Sequence, residues 1–170
     1  MKQMIIQLFM ILMCLNCSSN IRLRNNLEKK EHIIAVVPFT GKGVNKNLCY
    51  SAADELTRLL FIEKNINVIA RSRVNAAMAE LKIENPYYFS TADLKMFSDT
   101  LDASIICVGQ INSYALRQGE NKPIYYLSIT LSFIDGRDTN VIGIIYDQII
   151  SSDSYDVLIP KILKKMIGKM

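Results

Sequence analysis

The side chains that could do chemistry in this chain are few, and their spacing does not suit the common reactions. His32 is the only histidine. A Ser-His-Asp arrangement would have to run through it, yet it sits beside Glu31 at the entry to an apolar run, which marks an exposed surface residue. Thr40-Gly-Lys-Gly43 has the glycines of a phosphate loop without their spacing: the Gly-x4-Gly-Lys-Ser/Thr pattern is missing, and Val44 stands where the magnesium-binding hydroxyl belongs. Asp135, Asp138 and Asp147 are too far apart for a calcium loop, which needs closely spaced oxygens and a late Glu. Arg71, Glu80 and the acidic hairpin are all that is left for an enzyme to use. The residues therefore predict no catalytic group, no metal and no cofactor.

Five residues are better suited to contact than to catalysis. Arg71 and Arg73 flank Ser72 between an expected strand and its helix, where an arginine hydrogen-bonds either loop carbonyls or the carboxylate of a partner. Tyr87, Tyr88 and Phe89 are three aromatics in a connection rather than on a periodic face. They form either a binding hot spot or a satellite of the core.

Two cysteines belong to the start of the chain. Lys2 opens a short apolar run, residues 4–15, that stops at Cys14-Leu-Asn-Cys17. Twelve residues at 1.5 Å each span about 18 Å, short of the roughly 30 Å hydrocarbon core, so a processed export signal fits better than a membrane span. The segment resembles the signal sequence of a bacterial lipoprotein with Cys17 as the acylated residue, although Cys14 and Asn16 replace the Leu and small residue usual before it. Cys14 is the competing lipid site, and an ordinary secretory signal is the plainer alternative. The expected division is a signal peptide at 1–16, a flexible tether at 17–31 and one α/β domain at 32–170. The tether, polar and without period, reaches at most about 48 Å extended and about 20 Å as a coil, so the domain works close to its membrane. An anchor of two or more acyl chains would hold it there stably.

A domain of this size buries a core without disulfides. Cys49 and Cys107 can be bridged in an exported protein, but the core does not require it. The net charge of +4 is too mild to imply nucleic acid. The basic clusters Arg22, Arg24, Lys29, Lys30 and Lys161, Lys164, Lys165, Lys169 read as solvated faces, with a phospholipid contact as the alternative.

The elements follow from periodicity. The β-branched run at 33–39 is a buried strand, and the loop 40–46 leads to a cap at Asn45 or Asn47 for a helix with Leu48, Ala52, Leu56, Leu59 and Leu60 on one face. A strand at 65–70, a helix from the cap Ser72 through Leu81 and a short helix from Thr91 to Leu101 come next. Then three strands at 104–116, 124–133 and 140–150 form an antiparallel meander, joined by turns at 118–121 and 135–138. A helix at 159–167, with Pro160 in its first turn, closes the chain. Two β-α units, a meander and a closing helix make a single-domain α/β sandwich on a mixed five-stranded sheet.

Four segments carry a family resemblance: IIAVVPF at 33–39, NVIARSRVNAAMAELKI at 67–83, LDASIICVGQINSY at 101–114 and ITLSFIDGRDTNVIG at 129–143. In order and spacing they resemble the CsgG-like domain, shared in outline by the LpoB activators of peptidoglycan synthases, the FlgO lipoproteins and the N-terminal domain of TolB. The resemblance implies a non-enzymatic envelope lipoprotein, anchored at the outer membrane facing the periplasm, whose domain binds and regulates or scaffolds another envelope protein such as a peptidoglycan synthase. Its alternative is an oligomeric accessory subunit of a secretion or flagellar complex. A pore is disfavoured, because the connections are too short for the extra membrane hairpins.

Overall fold

The computed structural model describes residues 22–23, 32–116 and 123–170. The expected signal peptide, Cys17, most of the tether and the turn at 118–121 lie outside them. Strands β1 (Arg22–Leu23), β2 (Ile33–Val36), β3 (Thr40–Lys42), β4 (Asn67–Val68), β5 (Ile105–Leu116), β6 (Ile124–Asp135) and β7 (Val141–Ser151) alternate with helices α1 (Lys46–Lys64), α2 (Arg71–Glu80), α3 (Thr91–Leu101) and α4 (Tyr155–Ile167). The strand order is β1-β7-β6-β5-β2-β4, with β3 also on β5. β2 runs parallel to β4 and β5, whereas β5, β6 and β7 pair antiparallel. The expected α/β sandwich is present, with its two β-α units, meander and closing helix in order.

Two short strands extend the expected five. Thr40–Lys42 reads as a glycine loop in sequence, yet it pairs with β5 beyond the end of β2. From Val36 opposite Cys107 to Thr40 opposite Gln110 the chain takes one residue more than its partner does. Pro38, which has no N–H to offer, lies in this bulge, and the ladder resumes after it. Arg22–Leu23, inside the expected tether, pairs antiparallel with Gly143 and Ile144 on β7.

Alternation sorts the sheet into two apolar faces. On one, Ile34, Val36, Ile105, Cys107, Ile111, Leu127, Ile129, Leu131 and Phe133 meet α1 and α4. Leu56, Leu59 and Leu60 of α1 are wholly buried there, each stabilising the fold by about 1.5–3 kcal/mol. On the other face, Ala35, Val37 and Ile106 meet α2 and α3 through Val74, Ala77, Leu94, Phe97 and Leu101.

Local signals set the helix ends, and three differ from expectation. Asn45 caps α1, its side chain accepting from Leu48 N at 2.8 Å. α2 starts from Ala70 with no side-chain cap, leaving Ser72 inside the helix. α3 is capped by Ser90 rather than Thr91, in a reciprocal box with Asp93. α4 begins at Tyr155, so Pro160 falls in its second turn. There it removes a backbone hydrogen bond, and the buried stripe Leu158, Ile159, Ile162, Leu163, Met166 and Ile167 carries the helix through.

Candidate functional site

Of the five expected contact residues, Arg71, Arg73, Tyr88 and Phe89 do not form one surface. Arg71 Nε donates to Asp54 Oδ1 of α1 at 2.8 Å. Its Nη2 lies 2.8 Å from the same oxygen, without the alignment of a second hydrogen bond. Arg73 points the other way and reaches the Leu101 carbonyl at 3.4 Å. Phe89 packs on Phe97 with ring centroids 5.4 Å apart and belongs to the second apolar cluster. Tyr88 stands out in solvent at 75 % exposure. Tyr87 lies in the same short turn, Pro86–Tyr88.

The sheet itself carries a larger surface. α2 and α3 are short, and the apolar cluster beneath them reaches β5 and β6 only as far as Ile106, Val108 and Ile134. Beyond that line, cross-strand rows follow the pleat: Val108-Ser132-Ile144, Gln110-Thr130-Tyr146, Asn112-Ser128-Gln148 and Tyr114-Tyr126-Ile150. None of these twelve positions bears a charge, in a chain that is 21 % charged. Exposure is 53 % at Tyr114, 44 % at Ile144 and 62 % at Ile150, so large apolar side chains face solvent at both ends of these rows.

The polar groups on this face are organised. Tyr114 and Tyr126 stack with centroids 4.6 Å apart. The hydroxyls of Tyr126 and Tyr146 both donate to Gln148 Oε1, at 2.8 and 2.6 Å. Such bonds hold the rings in fixed rotamers, so an incoming partner loses less side-chain entropy by ordering them. Neutral and rich in aromatic rings, the surface has the composition of an interface centre rather than of ordinary solvated sheet. Sequence reading found its alternation in β6 but not its exposure. β7 has isoleucines on both faces, which resembles a strand covered on both sides.

Behind β7, the Asp147 carboxylate is buried against α4. Burial favours its neutral form, but donation from Lys169 at 2.9 Å and Lys165 at 3.0 Å, with Gln148 N at 2.8 Å, outweighs this and holds its pKa below the ordinary carboxylate value. Two lysines on one carboxylate clasp the end of α4 to the sheet. Cys49 and Cys107 are both free and buried, and burial raises both thiol pKa values. Among the described residues no group of three or more His, Cys, Asp or Glu could hold a metal ion. Also among them, no helix is long and apolar enough to cross a membrane.

No family model matches the sequence, and no curated protein matches it. Solved structures do share the fold. Lipoprotein GNA1162 from Neisseria meningitidis superposes with a TM-score of 0.63 at 13 % identity, covering 82 % of this chain and 97 % of that one. A PelC dodecamer structure from Paraburkholderia phytofirmans gives 0.59 at 12 % identity, covering 90 % and 98 %. The hypothetical protein CT253 from Chlamydia trachomatis gives 0.53 at 13 % identity, covering 82 % and 95 %. At such identities the likeness shows the fold alone, and the α/β sandwich expected from the sequence is the fold these structures share.

Proposed function

We propose that this chain is an envelope lipoprotein, acylated at Cys17 after removal of residues 1–16, whose domain binds another envelope protein and regulates or scaffolds it. The observation that carries the reading is the uncharged face of Tyr114, Tyr126, Ile144, Tyr146 and Ile150, which a monomer has no structural reason to leave bare. The lipoprotein-like leader and the fold shared with GNA1162 support the location. Within this reading Tyr88 is a secondary contact at the margin, while Arg71 and Phe89 spend their interactions inside the domain.

A photo-reactive amino acid placed at Tyr146 in a C-terminally tagged protein tests the surface in cells. Cross-linking to a different envelope protein, identified by mass spectrometry after detergent extraction, is the expected outcome. Loss of membrane association and of palmitate labelling in Cys17→Ser tests the anchor. The second reading, an oligomeric subunit of a secretion or flagellar complex, is favoured by the solution of PelC as a dodecamer. It predicts cross-links from Tyr146 to further copies of this chain in one large closed complex. A concentration-independent monomer in detergent would sink it.

A further inference from the structure

The two basic clusters of the sequence, one near each end of the chain, meet on one edge of the sheet. Arg22 of the first lies on β1, opposite Ile144 of β7. Lys165 and Lys169 of the second donate to Asp147, three residues further along the same strand, at 3.0 and 2.9 Å. From Ile145 to Ser151 no strand among the described residues pairs with the outer side of β7. Helical spacing decides where the lysines point. α4 turns Leu158, Ile159, Ile162, Leu163 and Met166 inward, which leaves Lys161, Lys164 and Lys165 exposed on its outer side, one turn apart.

Their charge is only partly offset. Asp147 serves both Lys165 and Lys169, and Glu63 stands 3.8 Å from Lys164. Lys161 forms no ion pair among the described residues. Four lysines thus face two carboxylates, and Arg22 on β1, with Arg24 just after that strand, adds to the excess. The side chains of Lys164 and Lys165 are 71 % and 59 % exposed, so these cations present themselves at the surface.

Solvated lysines are ordinary on a protein surface, but the chain enters the fold beside these ones. The sequence predicts a tether at 17–31, whereas the pairing of Arg22 with β7 leaves only five residues between Cys17 and the sheet. Five residues reach at most about 18 Å extended and about 12 Å as a coil. An acyl anchor on Cys17 therefore brings this edge within about 18 Å of the headgroups. Tethering at that range lets weak contacts form, and each Lys or Arg beside an anionic leaflet strengthens binding about fivefold.

We propose that this basic edge, formed by Lys161, Lys164, Lys165 and Lys169 of α4 with Arg22 of β1, rests on the anionic phospholipid headgroups of the membrane that holds the anchor, a reading that depends on acylation at Cys17. The contact fixes the orientation of the domain. It uses the narrow side of the sheet, and the uncharged face is a broad side, so lipid and a protein partner bind together.

The test is lysine footprinting with an amine-acylating reagent, read by mass spectrometry, on the full chain expressed with its leader and reconstituted in vesicles. The vesicles are phosphatidylcholine alone or phosphatidylcholine mixed with phosphatidylglycerol. On the anionic vesicles Lys161 and Lys164 should react about threefold or more slowly than on the neutral ones, and high salt should remove the difference. Lys95 on α3 should react equally on both. Lys161→Glu combined with Lys164→Glu should abolish the protection of Lys165, with flotation on neutral vesicles retained and the melting temperature close to that of the parent. Equal reactivity of Lys161 and Lys164 on the two vesicle types, or a difference that Lys95 shares, would overturn the proposal while leaving the anchor intact. A chain that fails to float with neutral vesicles would instead show that Cys17 carries no anchor, and the proposal would fall with it.

Discussion

Phe39 lies directly over Gly109, so close that a methyl group on that glycine would run into the body of the ring. The contact joins the residue after the β2 bulge to the middle of β5, and Phe39 is 4 % exposed. Gly109 therefore has a packing reason rather than a conformational one. Gly109→Ala should cost about 1–3 kcal/mol in urea unfolding, the range for overpacking a close-packed core. Phe39→Leu in the same chain should recover part of that loss, so the pair will be less than additive. An alanine variant as stable as the parent would show that the ring has room to move.

Pro160 in the second turn of α4 gives the opposite expectation. It is exposed, so its removal disturbs no core packing, and an alanine restores the N–H that would donate to the Asp156 carbonyl. An interior proline costs about 3 kcal/mol, and its restriction of the unfolded chain returns about 0.5–1 of that. Pro160→Ala should therefore raise stability by about 2 kcal/mol and Tm by several degrees. A fall in Tm would mean that the helix is bent there for its packing.

Much of this architecture was legible in the chain because each signal was local. Leu56, Leu59 and Leu60 repeat at helical spacing, and Leu127, Ile129, Leu131 and Phe133 alternate, so helix and strand could be told apart without tertiary information. Pairing β3 with β5 depends on a bulge at Pro38 and on contacts some seventy residues apart in sequence, and no local pattern encodes that. The uncharged face was hidden for the same reason. Whether Tyr146 and Ile150 are covered depends on how far α2 and α3 reach, and that is decided by packing.

The clasp at Asp147 predicts a specific pH dependence. Its folded pKa lies below the ordinary value despite burial, because Lys169 and Lys165 donate to it. A carboxylate with a depressed folded pKa contributes stability that is present above its unfolded pKa, near 3.9, and is lost as pH falls through the folded value. Asp147→Asn should lower stability at pH 7 by about 1–3 kcal/mol, since two lysines lose their shared anion. As pH drops from 5 towards 2 the gap between parent and variant should close. Urea midpoints at several pH values measure this, and a gap that stays constant would show that Asp147 contributes through shape alone.

The uncharged face separates stability from binding, which makes its variants the most informative. Ile150 and Tyr114 are more than half exposed, so Ile150→Glu should change stability by about 0.5 kcal/mol or less. Its row mates Tyr126 and Tyr114 stack on each other and keep that contact whichever side chain stands at 150. A carboxylate there must nevertheless be desolvated in any interface that covers the face, against neighbours that offer no cation. Loss of the cross-linked envelope partner with an unchanged melting curve is therefore expected for Ile150→Glu. Tyr88→Ala, at the margin, should weaken the cross-link without abolishing it. If Ile150→Glu retains the partner in full while Tyr88→Ala loses it, the contact lies on the 86–88 turn, and the bare face must serve something other than that partner.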